Sequence, residues 1–270
     1  MPGWASSGNR WAPETTTLPD GTQNVLFFSD SQPSGPRRVG WAWAAGGPAV
    51  GGWNRTAPTH LDLGNSDAGE IDQHIFRAAN GSTYIVWKTD DNSLQKKITR
   101  IWAQEIIIAD GAVRLVGPRV QILDSSGMWW VTSFVQGGSL VEGPEIVEHG
   151  GWFYLFFAAG CFCQESYSEG VARSRSVFGP YEKMGSPLLT TAIVGHALAP
   201  PDGDGNATAV GARANVLEKL VGPGHASFVE DSAGEWFAVY HASRGNNCGR
   251  YAFVDKMRFG ADGWPRMDFE

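Results

Sequence analysis

A chain of 270 residues, 42% of them hydrophobic, with a formal net charge of −7, is long enough for one large β domain or two smaller ones. The negative balance argues against a nucleic-acid partner, because no basic surplus is there to neutralise phosphates. No run approaches the roughly 18 apolar residues that a membrane-spanning helix needs.

The chain opens with Met1-Pro2-Gly3-Trp4, which has neither the charged start nor the apolar centre of a signal peptide. Trp11-Ala12-Pro13-Glu14 then heads a first unit: Thr15 to Leu18, the turn Pro19-Asp20-Gly21, and Val25 to Ser29. A further strand fits Arg38 to Ala44. The second unit starts at Ile71-Asp72, runs from Gln73 to Arg77, turns at Asn80-Gly81 and returns from Thr83 to Lys88. Lys96, Lys97 and Arg100 read as an exposed loop, followed by strands at Ile101 to Ala109 and Val113 to Leu123. Trp129 and Trp130 fall in a Gly- and Ser-rich stretch, where they are expected to line a rim. The third unit is Val141-Glu142-Gly143-Pro144-Glu145 through His149, a Gly150-Gly151 turn, and the aromatic run Trp152 to Ala159. Gly170 to Arg175 fits another strand. Residues 200–211 read as a solvated turn, because Glu218 falls too late for Asp202, Asp204 and Asn206 to form a calcium loop of the EF-hand kind. The fourth unit is Gly222-Pro223-Gly224-His225, then Ala226 to Val229, a turn at 231–234, and Trp236 to His241.

Each unit is a strand with a polar or charged head, a hairpin turn that uses glycine for positive φ, and an aromatic second strand. The units recur about 60 to 80 residues apart, and no long amphipathic helix separates them. This is an all-β pattern, and a β-propeller accounts for it better than a sandwich. In a propeller the innermost strands all begin at one channel mouth, so polar heads have a reason to exist. Glu14, Asp72, Glu142 and His225 are then neighbours. Cys161, Cys163 and Cys248 allow one disulfide from Cys248 to one of the pair, leaving an odd thiol. Three glycosylation sequons, at Asn54, Asn80 and Asn206, hint at secretion.

Converging carboxylates beside aromatic residues suit glycoside hydrolysis, in which one carboxyl protonates the leaving oxygen and a second activates water or attacks carbon. Glu142, at a strand head before Gly-Pro, reads as the acid. Asp72, at the matching point of another unit, reads as the neighbour that tunes it. Trp11 is either a stacking platform for a sugar or a core residue. Arg250 is read as a substrate contact, against the alternative of a pairing with an acid in the last blade.

Several of these segments resemble glycoside hydrolase family 43, whose members are five-bladed propellers acting on arabinofuranosyl and xylosyl linkages. Trp11-Ala12-Pro13-Glu14, Ile71-Asp72-Gln73-His74-Ile75-Phe76, Val141-Glu142-Gly143-Pro144, Gly222-Pro223-Gly224-His225, and the stretch from Tyr240-His241-Ala242 through Arg250 to Gly263-Trp264-Pro265 are similar to its ordered motifs. The resemblance implies a single five-bladed domain over 1–270 with an incomplete N-terminal blade. It implies Glu142 as general acid, Asp72 as its tuner and Arg250 as a sugar contact. His225 would ligate a central calcium, bound mostly through water, or the water cluster in its place. The residue reading leaves it equally a buried histidine satisfied by strand carbonyls. No cofactor is required. The expected substrate is an arabinose- or xylose-containing oligo- or polysaccharide, cleaved with inversion by a secreted monomer.

One departure stands out. The family's general base is an Asp upstream of the Trp-Ala-Pro segment, and the ten residues before Trp11 contain no acid. Asp20 lies in a hairpin turn, and Glu14 holds a position that is structural in the family, so no base is assigned. The expectation is a truncated chain with weak or no hydrolysis and reduced stability. The alternative is a carbohydrate-binding propeller without catalysis.

Overall fold

A computed structural model describes residue 5 and residues 10–21, 23–33, 35–45, 53, 55–57, 59–64, 67–90, 99–128, 130–131, 133–134, 138–162, 164–191, 194–195, 218–244 and 248–268. The expectations at Met1–Trp4, Asn54, Lys96, Lys97, Trp129, Cys163, Asp202, Asp204 and Asn206 lie outside these residues.

Four blades follow one another along the chain. The first is β1 (Trp11–Thr17), β2 (Gln23–Ser31), β3 (Arg37–Ala45) and β4 (Arg55–Thr56). The second is β5 (Glu70–Arg77), β6 (Thr83–Thr89), β7 (Arg100–Ala109) and β8 (Ala112–Asp124). A small ribbon of β9 (Ser133–Phe134) and β10 (Gly138–Ser139) precedes the third blade, which is β11 (Val141–His149), β12 (Trp152–Ala159), β13 (Ser168–Ser174) and β14 (Glu182–Lys183). The last sheet is β15 (Val194–Gly195), β16 (Glu218–Glu230), β17 (Trp236–Arg244), β18 (Arg250–Phe259) and β19 (Pro265–Asp268).

Each of the four units seen in the sequence is the inner hairpin of one blade: β1–β2, β5–β6, β11–β12 and β16–β17. The hairpins turn as the sequence requires, with Gly21 at φ 68° and Gly81 at φ 90°. The expected all-β propeller is what the described residues build, with four blades instead of five, as in an incomplete propeller; the first of the four is a full four-stranded sheet.

The blades are joined by three apolar layers. Val25, Phe27 and Val39 of the first blade meet Ile75, Ile85 and Trp87 of the second. Phe76, Val86 and Ile101 of the second meet Ile146, Leu155 and Phe157 of the third. Tyr154, Phe156 and Val171 of the third meet Phe228, Tyr240 and Phe253 of the fourth. The strand period of two explains the alternation on β12, where Leu155 and Phe157 enter one layer while Tyr154 and Phe156 enter the next. A strand buried on both faces must be apolar throughout, which is why Trp152–Ala159 reads as a continuous apolar run. On the far side of the fourth blade, Val229 and Val239 are 51% and 37% exposed. Among the described residues no fourth layer joins that face to the first blade.

Polar side chains also fasten each inner strand to the next. Glu14 Oε1 accepts the backbone N–H of Ile75 at 3.3 Å and lies 3.2 Å from His74 Nδ1. His74 bonds in turn to the backbone of Ile146. Glu145 Oε1 accepts the N–H of Phe228 at 2.7 Å. Burial alone would lower the His74 pKa, but the Glu14 bond and the charges of Glu145 and Glu14 outweigh it and raise it. Burial pushes Glu145 up, partly offset by His74.

Candidate active site

Three residues in left-handed backbone conformation meet at the channel head: Asp72 at φ 54°, Gly143 at φ 53° and His225 at φ 53°. Each lies inside a one-residue bulge of its inner strand, at Ile71/His74, Glu142/Glu145 and Gly224/Ser227. Bulges re-aim side chains in this way at the rims of sheets. A non-glycine residue in this conformation costs about 1–2 kcal/mol, so Asp72 and His225 store strain where the blades converge. Asp72 Oδ2 accepts the Gly143 N–H at 3.1 Å. The His225 ring lies so close to Gly143 that a Cβ there would sit 2.7 Å from its Cγ. Glycine after Glu142 is therefore a packing requirement as well as a conformational one.

The bulges correct one part of the sequence reading. Asp72 is level with Gly143 and His225, and Glu142 stands one residue earlier, level with Ile71. Glu142 and Asp72 share the site without sharing a repeat position: the bulges begin at matching points, and Glu142 precedes its bulge while Asp72 lies inside its own.

Glu142 is held at both oxygens. The Tyr167 hydroxyl donates to Oε1 at 2.8 Å, and Lys88 Nζ is 3.5 Å from Oε2. Lys88 also lies 3.5 Å from Asp90 Oδ1, and its side chain is 1% exposed. Burial would depress its ammonium, but the charges of Glu142, Asp72 and Asp90 more than restore it, so Lys88 is a buried cation among three acids. Burial and the Glu142 charge push the Tyr167 phenol far up, which keeps it a donor. The Tyr167 ring stacks on His241 at 5.7 Å, and His241 lies 6.1 Å from His225. Burial, with His225 and Arg250 nearby, lowers His241 to about 3, so its imidazole is neutral.

Lys88 and Tyr167 were not singled out from the sequence. A lysine closing the apolar strand Thr83–Thr89 was a usable signal, since a charge in a buried strand demands partners. Tyr167, in a connecting segment, gave none.

The other acids near the heads are engaged. Asp30, 0% exposed, sits 3.0 Å from Arg10 Nε. Glu70 Oε2 is bonded to Arg38 at 2.8 Å. Glu169 lies two strands from Glu142 across the third blade, through Ala158. Burial raises its carboxyl well above the usual range; backbone N–H groups of Ala226 and His225 offset this only in part, and Glu145 and Glu142 add to it.

The remaining expectations fall as follows. Trp11 is 44% exposed, and the Arg37 guanidinium covers one ring face at 3.5 Å. Trp11 reaches the Asp72 region through Gln73, which donates to Ala12 O at 2.6 Å and accepts from Ser29 Oγ at 2.8 Å. Arg250 is exposed, 4.6 Å above the Phe162 ring, and acts electrostatically on His241. Trp130 is a core residue instead of a rim residue, buried and stacked on Phe157 at 6.0 Å. Cys248 is in a disulfide and Cys161 carries a free thiol. Near His225 lie the His241 imidazole, the Gly143 backbone and the Glu169 carboxyl, which accepts the His225 N–H. No three His, Cys, Asp or Glu side chains among the described residues converge as metal ligands. A cavity of about 670 Å³ lies at the opposite end of the channel, lined by His74, Arg77, Glu145, Glu148, His149 and Trp236 among others. It is not where Glu142 lies.

The sequence profile of glycosyl hydrolases family 43 matches residues 1–265. A xylosidase/arabinosidase of Butyrivibrio fibrisolvens is 28% identical over 211 residues, which are 75% of this chain and 34% of that protein. A non-reducing end alpha-L-arabinofuranosidase of Bacteroides ovatus is 30% identical over 136 residues, 48% of this chain and 22% of that protein. The chain thus spans about a third or less of the curated relatives it matches. In fold it is similar to a thermostable family-43 glycoside hydrolase, with TM-score 0.73 and 24% identity over 98% of this chain and 76% of that one. It is also similar to an alpha-L-arabinofuranosidase from Lactobacillus brevis, with TM-score 0.72 and 19% identity over 97% and 76%.

Proposed function

Since this chain belongs to glycosyl hydrolase family 43, we propose that it acts as a glycosidase on α-L-arabinofuranosyl or β-D-xylosyl bonds of plant cell-wall polysaccharides and oligosaccharides. The relatives named xylosidase/arabinosidase and alpha-L-arabinofuranosidase support the substrate class. The observation that carries the reading is the two-point hold on Glu142 beside Asp72.

In this reading Glu142 gives its proton to the glycosidic oxygen as the bond to the anomeric carbon breaks. Water attacks that carbon from the opposite face, losing its proton to a base roughly 6.5–9.5 Å from the acid. Asp72 fixes the Gly143 backbone and thereby the strand head that carries Glu142. Asp30 and Glu70 are paired, and Glu169 is fully buried with burial raising its pKa, so we assign the base to none of them. Arg250 and the open face of Trp11 are proposed sugar contacts. A polymeric wall substrate fits action outside the cell by a monomer, which size-exclusion of the secreted product checks.

The test is hydrolysis of 4-nitrophenyl α-L-arabinofuranoside and β-D-xyloside. Glu142→Gln should lose about 10²–10⁴ of the rate. An unchanged rate would remove Glu142 from the acid role. Binding of arabinoxylan oligosaccharides without hydrolysis by the wild-type protein would favour the binding-module alternative.

A further inference from the structure

We propose that Lys88 is a positioning residue for Glu142 that sets the pH range in which the acid works. Its ammonium holds Oε2 while the Tyr167 hydroxyl holds Oε1. The inference rests on Glu142 being the proton donor.

The geometry is specific. Lys88 lies on β6 directly opposite Ile71, the residue before Asp72, with its side chain almost completely out of solvent. Removing an ammonium from water is costly unless it is closely paired. A methionine would fill the same slot without that cost, so packing alone does not explain the charge. What the charge does is meet Glu142 Oε2 at 3.5 Å and Asp90 Oδ1 at 3.5 Å, with Asp72 acting on it as well.

The chemistry follows from the direction of proton transfer. When Glu142 gives its proton to the leaving oxygen, a carboxylate forms. That carboxylate is stabilised by the Tyr167 O–H on one oxygen and by the Lys88 ammonium on the other. No further reactant is needed, since the proton ends on the departing alcohol. Lys88 on β6 and Tyr167 before β13 touch Glu142. Asp90 at the end of β6 and Asp72 on β5 act on Lys88, Glu169 on β13 and Asp72 act on Tyr167, and His241 on β17 stacks on Tyr167 beside His225 on β16. Lys88 opposes the charge of these acids and stabilises the carboxylate that forms on Glu142 when its proton leaves. The His241 imidazole is neutral and adds no charge.

Without the ammonium the carboxylate formed on Glu142 loses the counter-charge 3.5 Å from Oε2, so the alkaline limb of the kcat/KM profile should move upward, by about one pH unit for an opposite charge at this range. Lys88→Met should show it, and Lys88→Arg should leave the limb near the wild-type position. Because Lys88→Met strands three acids and can cost folding, Tyr167→Phe serves as the second variant. It keeps the ammonium, removes one donor, and should move the limb in the same direction by less. A carbon-13 titration of the Glu142 side-chain carboxyl, assigned with Glu142→Gln, reads the same effect without substrate. A limb and a resonance that stay put in folded Lys88→Met, or in Lys88→Gln if Lys88→Met does not fold, overturn the proposal. If the wild-type protein hydrolyses nothing, the glycosidase reading fails while the titration still decides the role of Lys88.

Discussion

Glu169 offers a sharp test of how the third and fourth blades are joined. Its carboxyl is 0% exposed, one oxygen accepts the Ala226 N–H at 3.4 Å, and the other has no hydrogen-bond partner. Burial therefore raises its pKa well above the carboxylate range, with Glu145 and Glu142 adding to the effect. An unfolded Glu titrates near 4.3. Between that value and the raised folded value the native state holds one more proton than the unfolded state, so stability falls as pH rises. The slope for one proton is about 1.4 kcal/mol per pH unit. Glu169→Gln substitutes a neutral amide of nearly the same shape, which removes that slope. As pH rises above the unfolded value the variant should gain steadily on the wild type, read from urea unfolding at pH 5, 6 and 7 with equal m-values. Parallel stability curves for the two proteins would refute the argument, since they would mean that Glu169 ionises alike in both states.

His241 should act with the opposite sign. Its folded value of about 3 lies below the unfolded value near 6.5, so the unfolded state binds the extra proton and stability falls as pH drops through that window. His241→Phe, which preserves the stack on Tyr167, should flatten the acid side of the stability curve; an unchanged acid limb in thermal scans would contradict this. Gly143→Ala places a Cβ 2.7 Å from the His225 ring at φ 53°. The left-handed conformation costs about 1–2 kcal/mol and overpacking about 1–3 kcal/mol, so a loss of about 2–5 kcal/mol in chemical unfolding is expected, and a loss under 1 kcal/mol would show that His225 gives way freely.

The inner hairpins were legible in the sequence because two local rules coincide in each. A glycine turn with positive φ sits between strands whose heads are polar and whose bodies are apolar. The double burial of Trp152–Ala159 was legible for the same reason, since only a strand covered on both faces carries no polar residue. The four blades that are described correspond one to one with the four polar-headed units, as expected of an incomplete propeller. The register of Glu142 against Asp72 was not legible, because the polar residue that heads a unit falls before the bulge in one strand and inside it in another, and only strand pairing shows where the bulge begins. Lys88 and Tyr167 were missed for a different reason. Their roles arise from contacts between blades, and neither a strand period nor a turn rule encodes which side chain a neighbouring blade will present. Trp130 shows the same limit, since a Gly- and Ser-rich context suggested exposure while packing on Phe157 decided burial.

The site draws on three consecutive blades: Asp72 and Lys88 from the second, Glu142 and Tyr167 from the third, His225, His241 and Arg250 from the fourth. Those blades are joined by two apolar layers and by the His74 and Glu145 fastenings. The acid half of the site is thus preorganised by interfaces that are buried whether or not a sugar is present, which is what electrostatic positioning of a proton donor requires. The first blade meets the site's second-blade strand through Gln73, and the outer face of the fourth blade exposes Val229 and Val239. Asp72 and His225 hold strained backbone conformations against that asymmetric frame. Strain of this kind persists only where the surroundings over-determine it, so the two full interfaces on either side of the third blade are what keep Glu142 aimed.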